Sequence, residues 1–503
     1  MAVAAEPAGV AYGSKAGRWV LLVAVLGTGM AFLDGTVVNV ALPSIGRDLG
    51  ASTSSLQWIS DGYLLSLASL ILLGGSLGDR YGRRRIFVTG VILFSAASLL
   101  CALAPNVEIL IAARVVQGAG GALLTPASLA MIEASFRAQD RPRAIGAWSG
   151  LTGISSALGP LVGGYLIDAA SWRAVFLLNL PVGAIVVAYA HHVPETRDPE
   201  ASGPLDVPGA VLGALALAGT TFALIEGPGH GMTGAIAFAA ALGVVALVGF
   251  LVVERKSPNP MVPLAMFASK QFSAANVVTF VVYAALGGMF FLFVSFLQIS
   301  MGYSPIEAGA ALVPETLIML LLSARAGALA QRIGPRIPLT IGPITIAVGM
   351  LMMTRINPGD GYVADVLPAV IVFGLGLTLV ASPVTATVLA AADASHAGIA
   401  SGINNAVARV ASLLAVAALP LIAGITGDRF YNPKAMTDGF HMAMFACAAL
   451  AAAGGVVAWL AISDDALSSE PGRRGERAVD VSTDYHCSIA GPPWRTARTS
   501  TTS

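Results

Sequence analysis

The sequence predicts an all-α protein that crosses a membrane fourteen times, and three observations carry that prediction. Charged residues make up 11% of the 503 residues and hydrophobic ones 56%, whereas a soluble surface needs about a quarter of the chain charged. The apolar residues come in runs close to the ~20 residues that a helix needs to cross a bilayer core. A short repeat then sorts those runs into two sets of six with a pair between them.

The runs fall at 19–42, 56–77, 86–104, 109–132, 145–168, 173–191, 208–227, 234–253, 272–299, 308–330, 338–355, 365–388, 398–424 and 441–462. The first eighteen residues are small and polar, and the run that opens at Trp19 is too long for the apolar core of a cleaved signal. Residues 192–207, rich in Pro, acid and Gly, and residues 254–271 read as linkers. The division expected is therefore an arm (1–18), a six-helix half (19–191), linkers with an inserted pair (192–271), a second six-helix half (272–462) and a tail (463–503). The tail is rich in Ser, Thr and Arg, cannot bury a core, and is expected to be disordered. With the N-terminus inside, about twenty Lys and Arg fall on the inner side and about five on the outer, which orients both termini to the cytoplasmic side of the plasma (inner) membrane.

Composition also excludes several classes. Net charge is zero, so no basic face awaits nucleic acid. Cys101 and Cys447 lie in apolar runs and Cys487 in the tail, without the spacing of a metal site or a disulfide framework. The chain has no phosphate-binding Gly-rich loop with its Lys and no nucleophile elbow, which disfavours ATP-driven pumping and hydrolysis. No cofactor and no metal are expected. The His191-His192 pair closes a span and reads as interfacial.

The repeat pairs Gly75-Ser-Leu-Gly-Asp79-Arg80-Tyr-Gly82-Arg-Arg84 with Gly327-Ala-Leu-Ala-Gln331-Arg332-Ile-Gly334-Pro-Arg336, without gaps. Gly118-Ala-Gly120 echoes Gly374-Leu-Gly376, each followed by a proline, Pro126 and Pro383. Two related halves place a binding site between them, near the midplane.

These motifs resemble a known family. The stretch from Gly75 to Arg85 resembles the loop signature of the major facilitator superfamily. Arg114 with Gln117-Gly118-Ala-Gly120 resembles its fourth-helix motif, and Gly159-Pro160-Leu-Val-Gly163-Gly164 its fifth-helix antiporter motif. Leu33-Asp34-Gly-Thr36-Val-Val-Asn39-Val-Ala-Leu-Pro43 is similar to the first-helix signature of the fourteen-helix drug:proton antiporter branch. Trp172-Arg173, Asn179-Leu-Pro181, Gln298, Gly302-Tyr303-Ser-Pro305, Gly309 and Gly398-Ile-Ala-Ser401-Gly402 with Asn404-Asn405 continue that likeness. It departs at Ser155, where a glycine is usual, and at Glu315 and Arg325, which are charged where small or apolar residues are usual.

The resemblance implies export of hydrophobic small molecules, cationic ones among them, in exchange for protons by alternating access. The alternatives are a dedicated exporter of one endogenous metabolite and, from a different class, a membrane enzyme or receptor. Asp34, Arg114 and Asp61 are expected to carry proton coupling. Asp34 stands eight residues from the outer end of its run, roughly 12 Å deep, and the other two roughly 8 Å deep, so one layer is expected to hold all three. A buried charge costs roughly 2.5–3.5 kcal/mol on the mildest scale and therefore needs a partner or a wet cavity. Tyr63, Tyr283, Glu315, Asn405 and Arg409 are expected to line the substrate cavity, with Met289 and Phe290-Phe291 as further aromatic or soft candidates. Conformational switching is assigned to Gly75, Asp79, Arg80, Gly82, Arg83 and Arg84 in the loop and to Gly159, Pro160, Gly163 and Gly164 in the fifth helix. The inserted pair, apolar inside, is expected to lie outside the pathway.

Overall fold

The computed structural model describes residues 9–198, 205–392 and 397–464. The expected tail, with Cys487, lies outside them beyond Asp464, as do the first eight residues of the arm. Among the described residues, fourteen helices are long and apolar enough to cross a membrane. They are α1 (Lys15–Leu49), α2 (Thr53–Tyr81), α3 (Arg83–Ala102), α4 (Val107–Ser135), α5 (Arg141–Ala169), α6 (Arg173–His192), α7 (Val207–Gly229), α8 (Gly234–Lys256), α9 (Lys270–Ile299), α10 (Pro305–Ile333), α11 (Arg336–Met353), α12 (Tyr362–Ala390), α13 (Gly398–Ile422) and α14 (Pro433–Ala461). Lys15 and Ala461 share one face of the bundle, here the terminal face; the α1–α2 turn lies on the far face.

Several helices outrun their apolar stretches because polar residues just outside them act as caps. Ser14, Ser52, Asn106, Ser269 and Asn432 each accept a backbone N–H from the first turn that follows. Gly50, at φ 65°, ends α1 in the left-handed conformation that glycine adopts without penalty. Proline interrupts two helices. Pro181 has no N–H for the Leu177 carbonyl, and α6 bends at Leu178. Pro314 leaves the Ala310 carbonyl free, and α10 breaks at 311–312.

The helices form two six-helix bundles with matching internal packing. In the first, α1 packs on α4, α5 and α6, α2 on α4, and α3 on α4 and α6; in the second, α9 packs on α12, α13 and α14, α10 on α12, and α11 on α12 and α14. The glycines of the repeat are why. A Cβ on Gly120 would stand 2.6 Å from Phe94 N of α3, and one on Gly376 2.5 Å from Ile346 N of α11. Gly118 lies against Tyr63 and Ser66 of α2, and Gly374 against Glu315 of α10. In each bundle one Gly-x-Gly lets the same helix press on two neighbours, the small-residue packing that membrane helices favour.

The bundles meet mainly toward the far face. Gln57 Nε2 donates to the Val416 and Ala417 carbonyls at 2.9 and 3.0 Å, and Gln298 Nε2 to Val40 O at 2.9 Å. Thr53 Oγ1 donates to Gly427 O, Tyr431 Oη to Ala51 O, and Ile306 N to Asp168 Oδ2. Nearer the terminal face α5 stands away: added Cβ atoms on Gly146, Gly150 or Gly153 would meet nothing within 4 Å. The seam between the bundles is therefore closed at the far face and looser toward the terminal one.

The inserted pair is not uniformly peripheral. The outer helix α8 packs on α7, but α7 lies against both α2 and α13 and so covers a seam between the bundles. Trp58 Nε1 of α2 donates to Glu226 Oε1 of α7 at 2.7 Å. Glu226, a helix-end acid in the sequence, thus fastens the pair to the first bundle.

Candidate functional site

Asp34 sits at the centre of a buried polar network. Because α1 runs on to Leu49, Asp34 lies fifteen residues from its far end, about 22 Å along the axis, deeper than the shorter run implied. Its Oδ2 accepts from Arg114 Nη1 at 2.5 Å, and its Oδ1 from Gln117 Nε2 at 2.9 Å and Asn179 Nδ2 at 3.0 Å. Gln117 Oε1 also accepts from Arg114, and Ser98 Oγ accepts from both amides. Arg114 Nε donates to the Ile59 carbonyl, and its guanidinium covers the Tyr63 ring at 4.4 Å. Arg114 is 1% exposed and Asp34 2%. The charges of this pair neutralise each other, and both carboxylate oxygens and both amide NH2 groups are hydrogen-bonded, which is what a low-dielectric interior requires.

Asp34 and Arg114, two of the three residues expected to carry proton coupling, pair directly. Gln117 and Asn179 join it; both stood in the motifs but were not read as site residues. Ser98 carried no signal in the sequence. Tyr63, expected in the substrate cavity, is 3% exposed and supports Arg114 instead.

Asp61 does not join the layer, which corrects the depth argument. It is two residues from Ile59, so about 200° around α2 from the α4 face. Its helix neighbours three and four residues back are Trp58, turned to α7, and Gln57, turned to α13. Asp61 therefore faces the α2–α7–α13 seam, fully buried, with neither carboxylate oxygen hydrogen-bonded. Depth along a helix reads height only; the angle about its axis placed this residue elsewhere.

The cavity candidates are spread out. Arg409 stands between the bundles, its guanidinium 5.4 Å from the Phe32 ring of α1. Asn405 is exposed one turn nearer the terminal face, and the Tyr283 carbonyl accepts from Ser412 one turn the other way. Glu315 is 6% exposed and wedged against Gly374 between α10 and α12, within the second bundle. Arg325 is exposed and donates to Leu321 O of its own helix. Met289 is buried, and Phe290 packs edge-on against Phe373.

The fifth-helix motif spans the contact between bundles. Gly159 lies against Thr36 of α1, and a Cβ on Gly163 would come 2.9 Å from Val37. Pro160 cannot donate to Ser156 O, and Thr36 Oγ1 takes that freed carbonyl at 3.1 Å. On the other side, the Pro160 carbonyl abuts Gly309, and a Cβ on Gly164 would sit 2.5 Å from both Ile306 Cα and Pro305 O. Ser155, the departure from the motif, is accommodated by Gly29 of α1.

The loop at the terminal face is held by a strap that the sequence hid in a linker. Asp79 Oδ1 accepts from Arg83 Nε at 2.8 Å. Glu195 Oε1 accepts the Arg84 amide at 3.0 Å, Arg84 Nη1 donates to Val193 O, and Arg83 N donates to Thr196 O. Asp198 N returns to Asp79 O. Gly82, at φ 114°, adopts a backbone that other residues avoid, and a Cβ there would meet Glu195 Oε1 at 2.7 Å. Gly75 abuts Pro126 of α4, and the Arg80 guanidinium covers Tyr81.

The Major Facilitator Superfamily profile matches residues 24–416. The methylenomycin A resistance protein of Streptomyces coelicolor is 38% identical over 410 residues, covering 81% of this chain and 86% of that protein. The tetracenomycin C resistance and export protein of Streptomyces glaucescens is 37% identical, covering 84% and 80%. The multidrug resistance protein Stp of Mycobacterium tuberculosis is 36% identical, covering 79% and 74%. Among solved structures, a peptide transporter POT in complex with sulfate shares the fold, with a TM-score of 0.65 at 16% identity over 90% of this chain and 96% of that one.

Proposed function

Because the chain belongs to the major facilitator superfamily, we propose that it drives drug export with protons, using Asp34 as the carrier. It is a multi-pass membrane transporter and not an enzyme, and its relatives are resistance and export proteins, so its cargo is a drug-like small molecule. The observation that carries the proton assignment is the fully buried Asp34–Arg114 pair. Protonating Asp34 would cancel its charge, release Arg114 and loosen α1 from α4. The terminal face, which carries the excess of Lys and Arg, is taken as cytoplasmic. The structure is then the state that meets drug from inside, with Asp34 paired to Arg114. Asp61 is the second proton candidate, since a buried carboxyl without a partner is tolerated as the neutral acid.

The test is proton release. Everted vesicles holding an inward acid gradient, given cationic, neutral and anionic compounds in turn, are expected to leak protons with each transported compound. Export that survives full collapse of the gradient by a protonophore defeats the proposal.

Switching is assigned to the two ends. The Gly159 to Gly164 segment closes the far face, and the 75–85 loop governs the terminal one. In this terminal-open state Asp79 and the arginines are occupied by each other and by the 193–198 strap. Gly82→Val meets both the unusual φ and Glu195, at a cost of about 1–3 kcal/mol. It is expected to slow export roughly tenfold or more with dye affinity nearly unchanged. Collapse of equilibrium dye binding with normal turnover at saturation would instead place the loop in the pocket.

A further inference from the structure

Arg409 is a deep charge that proton coupling does not use. It is the eleventh residue beyond Gly398 in a helix that ends at Ile422, so it lies near the middle of α13. Ser401, Asn405 and Arg409 recur at four-residue spacing and share one face. Flanking contacts fix where that face looks. On one side, Asn404 bonds Asn276 and Thr279 of α9, and Ser412 Oγ bonds the Tyr283 carbonyl. On the other, Gly402 lies against Leu72 of α2. Between them Arg409 reaches toward Phe32 of α1, in the space between the bundles.

The contrast with Arg114 is informative. Arg114 has Asp34 at ion-pair distance, whereas among the described residues no carboxylate comes that close to Arg409. Glu315, the acid of the second bundle that might have served, is wedged between α10 and α12. A half-buried cation at mid-membrane depth needs an anion or water. Arg409 is only partly buried, and Asn405, one turn nearer the terminal face, is exposed, so a ligand entering from that face can reach the guanidinium. A planar guanidinium takes a carboxylate through two parallel hydrogen bonds. Phe32 offers the apolar wall that a hydrophobic body needs.

We infer that Arg409 is an anion subsite of the export cavity, with Asn405 as a second donor, and that the transported class is hydrophobic organic acids bearing a carboxylate. This rests on the reading of the chain as a drug exporter and narrows its cargo. The carboxylate seats on Arg409 while the hydrophobic body lies along Phe32.

The test uses the full chain in lipid nanodiscs with pyrenebutyrate and its uncharged methyl ester as probes. The wild type is expected to bind the acid roughly tenfold more tightly than the ester, the scale of one charge-assisted contact. Arg409→Gln should erase that preference and leave ester affinity unchanged; Arg409→Lys should keep part of it. Monodisperse elution and an unchanged melting temperature show that each variant is folded, and should Arg409→Gln misfold, the acid-to-ester ratio of Arg409→Lys against wild type decides. Equal wild-type affinities, or a preference that survives in the folded Gln variant, overturn the subsite. Vesicle uptake separates the two readings. Export of the ester or of ethidium without preference for the acid sinks the subsite and keeps the exporter; acid-selective binding with no uptake of any probe sinks the exporter and keeps the subsite.

Discussion

Asp34→Asn is expected to abolish gradient-driven export while the protein remains inserted and folded. Asparagine keeps the shape of the side chain, and its carbonyl can still accept from Gln117 or Asn179. It cannot titrate, and its amide turns a donor toward Arg114, which is left with the Gln117 and Ile59 oxygens as acceptors. Removing one partner of a buried ion pair costs about 3–5 kcal/mol. Spread over fourteen packed spans this need not unfold the chain, but it removes the alternation between ionised and neutral Asp34 on which coupling depends. Uptake driven by a proton gradient should fall by roughly a hundredfold or more, the factor that ~3 kcal/mol represents. Pairing the change with Arg114→Gln should restore the melting temperature but not the coupling, which separates a structural from a protonic role. Proton-coupled uptake retained in Asp34→Asn vesicles would remove Asp34 from the mechanism.

Gly164→Ala is expected to be the most damaging single methyl group in the fifth helix. Its Cβ would lie 2.5 Å from Ile306 Cα and from the Pro305 carbonyl, both backbone atoms at the start of α10. A flexible side chain could swing aside; a backbone cannot. The far-face closure would open or shift, at about 1–3 kcal/mol for such overpacking. That changes the balance between terminal-open and far-open states by roughly ten- to a hundredfold. Export should drop accordingly, and a cysteine placed at Phe32 should gain reactivity toward a membrane-impermeant thiol reagent applied at the far face. Unaltered far-face labelling together with normal export would show that the α5–α10 contact does not seal the cavity.

The number of spans, the matching halves and the Asp34–Arg114 pairing were legible in the amino-acid sequence. Each rests on one-dimensional facts: a run's length against a bilayer's thickness, a repeated Gly-x-Gly, and a buried acid in the first run that needs a base as partner. Gly120 and Gly376 illustrate it, since a close helix crossing demands a residue without a side chain wherever it occurs. The tertiary structure decided what depends on the rotation of helices about their axes. A helix that is apolar nearly all round has little amphipathic signal to reveal that rotation. Asp61 therefore looked like a neighbour of Arg114 and instead faces α7 and α13. Tyr63 looked like a cavity wall and instead lies beneath a guanidinium. Glu195 sat in a linker with no periodicity at all, yet folds back to hold the 75–85 loop. Hydropathy sums over twenty residues and cannot tell one side of a helix from another; packing between bundles distinguishes them by single methyl groups, and that is where the site was assembled.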